Sequence, residues 1–205
     1  MNFRRSAILV AIICLVVPFE SHGQETFSGI SYQFAFPFSD TKTFTNAVSF
    51  RGVGLDYRKE VEPQTSVGIS ASWNVFHEVT DEMINLSELG VEGNLAADIS
   101  GNQNRIINTF PFLLTAHRYF DSDDDGGVPY IGFGVGASYR KSRLEIGTVA
   151  VTENKWHFTL APEIGFGFDT GYDTYLGISV KYNYLFAAGG STHAYIAANV
   201  TFFRY

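Results

Sequence analysis

The sequence predicts an all-β fold: an eight-stranded antiparallel up-and-down transmembrane β-barrel with a filled lumen, preceded by a cleaved signal peptide. Three observations carry this. Large apolar residues alternate with small or polar ones in segment after segment. The small face is built from Gly, Ser, Ala and Thr rather than the Lys and Glu of a solvated face. The N-terminus reads as an export leader.

The leader comes first. Arg4 and Arg5 precede the apolar run 7-AILVAIICLVV-17, closed by Pro18. Ser21 and Gly23 are small residues at the −3 and −1 places of a cut before Gln24. The run is too short to span a bilayer as a helix. Residues 1–23 are therefore a predicted signal peptide and 24–205 a single outer-membrane barrel domain. Cys14, the only cysteine, lies inside the leader, so no disulfide staples the exported chain. The formal charge is −7, and losing Arg4, Arg5 and Glu20 makes it one unit more acidic. That excludes nucleic acid as a partner class.

The strands follow in order. In 27-FSGISYQFAFPF-38, Ile30, Tyr32, Phe34, Phe36 and Phe38 oppose Ser31, Gln33 and Ala35. Segment 47-AVSFRGVGLDYRK-59 changes phase between Phe50 and Val53, which predicts a bulge near Gly52. In 65-TSVGISASWNV-75, Val67, Ile69 and Trp73 oppose Ser66, Ser70 and Asn74. Segment 105–120 sets Phe110, Phe112 and Leu114 against Thr109, Thr115 and His117. In 130-YIGFGVGASYR-140 the apolar residues oppose Gly132, Gly134, Gly136, Ser138 and Arg140. In 156-WHFTLAPEIGFGFD-169, Trp156, Phe158 and Ile164 oppose His157, Thr159, Glu163 and Gly165. In 174-TYLGISVKYNYLF-186, Ile178, Val180 and Tyr182 oppose Gly177, Ser179, Lys181 and Asn183. The last segment, 193–205, groups Ile196, Ala198, Val200 and Phe202.

A face of small residues means little room. Eight strands enclose an interior only wide enough for side chains. The large face therefore points out, toward lipid, and closure satisfies the backbone there. The joins 60–64, 121–129 and 170–173 are short and polar, whereas 76–104 is long and 141–155 moderate. Short turns at one rim and longer loops at the other place both termini at the periplasmic rim. Trp73, Tyr139, Trp156, Tyr57, Tyr130 and Tyr175 are expected in interfacial aromatic girdles.

The stretches 108-NTFPFLLTAHRYF-120, 129-PYIGFGVGASY-139, 155-KWHFTLAPEIG-165 and 180-VKYNYLF-186 resemble the small outer-membrane β-barrel domain proteins of the Bacteroidetes type. The resemblance spans essentially the whole chain after the leader. It implies the cell outer membrane as location, the barrel-assembly machinery as a partner, and Tyr205 as the terminal aromatic that this machinery reads. Tyr205 is out of phase with Val200 and Phe202, so a bulge near Phe203 or an imperfect signal is expected. Outer-membrane lipids and lipopolysaccharide are the expected surroundings, and no cofactor is implied.

Several motifs are weighed for chemistry. Asp121, Asp123, Asp125 and Gly126 open like an EF-hand loop, but Gly132 stands where the bidentate carboxylate belongs, and strands flank it. The stretch reads as a turn with weak calcium potential. Gly132, Gly134 and Ala137 match a dinucleotide fingerprint that needs a helix after it, and a strand continues instead. His157 and Thr159, two apart on one face, form a lipid-hydrolase alternative, although threonine is a poor nucleophile without activation. A narrow channel or secretion-associated barrel is the other alternative. The favoured reading is a non-enzymatic structural or surface-interaction barrel. Its lumen is expected to be filled by a polar network of Glu163, Lys181, Arg140 and His117, because buried charges must pair. The join 77–104 holds Glu78, Asp81, Glu82, Glu88, Glu92 and Asp98 with no Lys or Arg, an acidic loop with Met83, Leu86 and Leu89 in a short amphipathic turn.

Overall fold

The computed structural model describes residues 26–85, 98–120, 127–147, 149–171, 173–187, 190 and 192–204. The leader, Asp121, Asp123 and Asp125, and Tyr205 lie outside the described residues.

The chain forms eight strands: β1 (Thr26–Phe38), β2 (Ser49–Glu62), β3 (Thr65–Asn85), β4 (Asp98–Tyr119), β5 (Val128–Ile146), β6 (Val149–Gly171), β7 (Thr174–Leu185) and β8 (His193–Arg204). One short helix, α1 (Ser39–Phe44), follows β1. Each strand pairs antiparallel with its sequence neighbours, and β8 pairs with β1 to close the barrel. Among the described residues no helix is long and apolar enough to cross a membrane.

The alternation sorts as read from the sequence. Ile30, Leu55, Ile69, Leu114, Ile164 and Phe202 are exposed on the outer wall, each at least 57%. Ser31, Asn74, Thr159, Lys181 and Asn199 are buried inside. Apolar side chains outside and polar ones inside invert a soluble protein's arrangement, which suits lipid as the surrounding solvent. The bulge falls beside Gly52. Gln33 pairs with Gly52 and Ala35 with Ser49, so Phe50 and Arg51 together oppose one residue of β1. Both are exposed.

One join of the short rim is a tight turn. Pro63 and Gln64 join β2 to β3, with Gln64 at φ 65. Proline presets the first central residue and the second takes the left-handed conformation, as in a type II turn. The opposite rim departs from expectation. The joins 77–104 and 141–155 are mostly strand, not loop. β3 continues to Asn85 and pairs with β4 down to Asp98. β5 continues to Ile146 and pairs with β6 at Val149. Glu78, Asp81, Glu82 and Met83 therefore lie in β3 and Asp98 in β4, while Leu86, Glu88, Leu89 and Glu92 lie outside the described residues. The apolar alternation fades along these extensions, where Gln103, Ser142 and Ile146 are still buried on the inner face and the hydrogen-bonded ladder carries the strands onward.

Two further expectations are corrected. Tyr130 and Tyr175 do not belong to an outer girdle. Tyr130 is 4% exposed and shares the inward phase of Ser138 and Arg140. Tyr175 shares the inward phase of Ser179 and Lys181, and its ring lies 6.3 Å from that of Phe203. No bulge interrupts β8: its register with β1 and β7 runs unbroken through Phe203 to Arg204. Phe203 therefore points inward and is 3% exposed.

Candidate functional site

The lumen is the place where polar side chains converge. On β6, Glu163 stands in register with Lys181 of β7 on one side and Gly132 of β5 on the other. Gly132 in turn faces His117 of β4. Four neighbouring strands thus place three titratable groups at one level. The glycine is what lets them meet: a Cβ at position 132 would sit 2.5 Å from His117 Cδ2. The Lys181 ammonium lies 3.1 Å from Glu163 Oε2, and His117 Nε2 lies 3.8 Å from the same oxygen. From β5, Tyr130 donates its hydroxyl hydrogen to Glu163 Oε1 at 2.9 Å.

The far wall contributes the rest. Arg58 of β2 reaches across the lumen, with Nη2 3.8 Å from Glu163 and 3.5 Å from Asp56. Its Nη1 donates to the Tyr119 hydroxyl at 3.3 Å. The guanidinium lies 4.6 Å from the centre of the Phe203 ring, close enough for a cation–π contact. Asp56, Arg58, Glu163 and Lys181 are all buried. Two cations and two carboxylates beside one imidazole make a nearly balanced network, as charges withdrawn from water require.

Above this network an apolar cluster forms beside polar residues such as Asn74, Asn183 and His157. Ala35, Phe76, Ile107, Leu185, Tyr195 and Ala197 pack together, with Phe44 of α1 against them. Helix α1 is held over this layer: Asp40 accepts from the Thr192 backbone at 2.9 Å, and Arg105 donates to the Phe44 carbonyl at 3.2 Å. A recess of about 230 Å³ remains at the mouth beside the Pro63–Gln64 turn, lined by Phe27, Arg58, Tyr119, Tyr175 and Phe203 among others. A groove of about 830 Å³ runs along the outer wall, lined by Ile30, Leu55, Ile69 and Phe112 among others.

The residues named from sequence fall into separate places. Glu163, Lys181 and His117 come together. Arg140 does not join them: it lies eight residues from Gly132 on β5, about 27 Å along the strand, and its Nη1 is 4.0 Å from Glu153 near the outer rim. Opposite charge on the inner face was the reason to group it with Glu163, and distance along the barrel axis separates them. His157 and Thr159 both face the lumen rather than lipid. Thr159 donates to Ser138 Oγ at 2.7 Å, and His157 Nδ1 lies 2.9 Å from the Phe186 carbonyl. Neither contact forms the nucleophile–base pair that hydrolysis needs. His157 instead stands edge-on to His193, ring centres 5.4 Å apart. Arg58, Asp56 and Tyr130 were missed from sequence. Their signal was phase: Asp56 and Arg58 continue the small-residue face of β2 after the bulge, and Tyr130 shares the even positions of the β5 glycines.

With this geometry in place, likeness to solved proteins is informative about the fold. The crystal structure of Neisserial surface protein A matches with a TM-score of 0.61 at 10% identity, over 89% of this chain and 99% of that one. Ail, the attachment invasion locus protein of Yersinia pestis, crystallised with the heparin analogue sucrose octasulfate, matches with a TM-score of 0.51 at 14% identity, over 90% of this chain and 100% of that one. No protein-family model matches the chain, and no curated protein sequence matches it. The fold is that of the small eight-stranded outer-membrane barrels.

Proposed function

We propose that this protein is a non-enzymatic integral barrel of the cell outer membrane that presents a sheet at the cell surface, with a lumen that does not conduct. One observation carries the surface role. β3, β4, β5 and β6 continue beyond the others as a four-stranded sheet, while β7 stops at Leu185 and β8 begins at His193. From Trp73, β3 runs on by twelve residues to Asn85, about 40 Å along the strand. The last pairing of β6 with β7 is Thr159 with Leu185, so Val149–Lys155 have no strand on that side among the described residues. An edge of unpaired backbone groups invites pairing with an extended segment of another chain.

The closed lumen supports the rest of the reading. Ions would have to cross both the charge network and the apolar layer beneath α1. The hydrolase alternative loses its support in the contacts of Thr159. The likeness to Bacteroidetes barrels adds to the outer-membrane reading, as does the fold shared with Neisserial surface protein A and Ail.

Site-directed labelling tests it, since Cys14 is the only natural cysteine. Ala150→Cys, on β6, should react with a membrane-impermeant maleimide on intact cells. Glu62→Cys, beside the Pro63–Gln64 turn, should react only after permeabilisation. The reverse pattern, or both positions labelled in a soluble periplasmic fraction, would overturn the proposal. Liposomes carrying the barrel should show no solute flux.

A further inference from the structure

Four aromatic rings form one row across four strands of the outer wall. Trp73 of β3 stacks on Phe110 of β4 at 5.8 Å, Phe110 meets Tyr139 of β5 at 6.2 Å, and Tyr139 meets Trp156 of β6 at 5.2 Å. Below this row the outward residues are apolar: Phe112, Leu114, Phe133, Phe158 and Ile164. Above it polar residues join Val75 and Ile106 on the outward face. Asn108 and Asn154 stand one outward position higher, and Asn108 accepts a hydrogen bond from the Trp73 indole at 3.1 Å. Tryptophan and tyrosine favour the membrane–water boundary, so the row marks the interfacial zone of these four strands.

Two cations sit immediately above the row. Lys141 and Arg143 lie two and four residues beyond Tyr139 on the same outward face of β5, and both are exposed. At a typical strand tilt of about 40° that is roughly 5 and 10 Å above Tyr139. Arg143 is held in place. Its Nη2 lies 2.5 Å from Glu145, Glu145 accepts from Asn104 at 3.0 Å, and His77 Nε2 lies 2.7 Å from Asn104 Oδ1. This chain of contacts runs across β3, β4 and β5 on the outer face. Lys141 has no ion-pair partner among the described residues.

We propose that Lys141 and Arg143 form a binding site for the phosphates of lipid A, the anchor of lipopolysaccharide, with its acyl chains lying along the apolar wall below the Trp73–Trp156 row. The proposal rests on the outer-membrane reading above and deepens it. Charge selects the ligand class: fixed cations at headgroup depth attract anionic heads. Geometry selects the source. The cations rise on the side of the extended sheet, the side that faces the outer leaflet in this reading.

The test uses the full barrel in phosphatidylcholine nanodiscs, where targeting plays no part. Trp73 and Trp156 are the two tryptophans of the chain, and both lie in the row, so their emission reports directly on the site. Doping the discs with lipid A should shift the emission saturably, and native mass spectrometry should find lipid A retained on the barrel. Lys141→Ala with Arg143→Ala should raise the half-saturating lipid A fraction roughly tenfold or more. Arg118→Ala, at the opposite rim, should leave it unchanged. Both side chains are exposed, so the double variant should fold, which the gel shift between unheated and boiled samples checks. Equal responses to dephosphorylated lipid A or to phosphatidylglycerol would overturn the proposal, as would an unchanged titration in the double variant. Failure of surface labelling with this titration intact would reject the location and leave the site standing.

Discussion

Replacing Glu163 with Gln is the sharpest perturbation of the lumen. The amide keeps the shape, and its oxygen still accepts from Tyr130, so the change isolates charge. Glu163 is the hub: Lys181 lies 3.1 Å away, and Arg58 and His117 each 3.8 Å. At an effective dielectric constant of about 20, unit charges attract by about 5 kcal/mol at the Lys181 distance and about 4 at the Arg58 distance. Desolvation offsets much of this, and removing one member of a buried pair costs about 3–5 kcal/mol net. Asp56 alone would then face both cations. Urea unfolding in lipid vesicles, followed by tryptophan emission, should show Glu163→Gln destabilised by that amount. Lys181→Gln should cost less, because Glu163 keeps Arg58 and Tyr130. The double variant should be less destabilised than the sum of the singles by about 2 kcal/mol, the coupling of groups in contact. A loss below about 1 kcal/mol for Glu163→Gln, or strictly additive singles, would refute the claim that this network holds the barrel.

Phe76→Ala, in the apolar layer under α1, should cost about 3–5 kcal/mol, because Phe76 is wholly buried. Phe112→Ala, half exposed on the lipid face, should cost distinctly less in the same unfolding assay. Gly136→Ala should destabilise by about 1–3 kcal/mol or block folding, read as loss of the gel shift, since the new Cβ would lie 2.1 Å from the Phe112 carbonyl oxygen.

The barrel was legible in the sequence because strand alternation is local. A period of two needs only neighbouring residues to assign a face, and the choice of outward face needed only the size of the inner residues. The bulge beside Gly52 was legible for the same reason: a phase slip in one strand is written in that strand. Even the Glu163–Lys181 pair could be approached this way, since consecutive strands of an up-and-down barrel must neighbour each other.

What lay beyond the sequence depended on closure and on water. Arg58 meets Glu163 only because the sheet closes and brings β2 opposite β6, a contact no strand-by-strand reading contains. Arg140 bears the same charge on the same face, yet height along the axis gives it to Glu153 instead. Tyr130 and Phe203 look like membrane-facing aromatics by type, and register turns them inward onto the charges. The extensions of β3 to β6 carried too weak an apolar stripe to read, because their inner face buries polar Gln103 and Ser142 beside Ile146. There the hydrogen-bonded ladder continues from the barrel below, so tertiary structure alone decided that both flanks of the apparent acidic loop, 77–85 and 98–104, are strand.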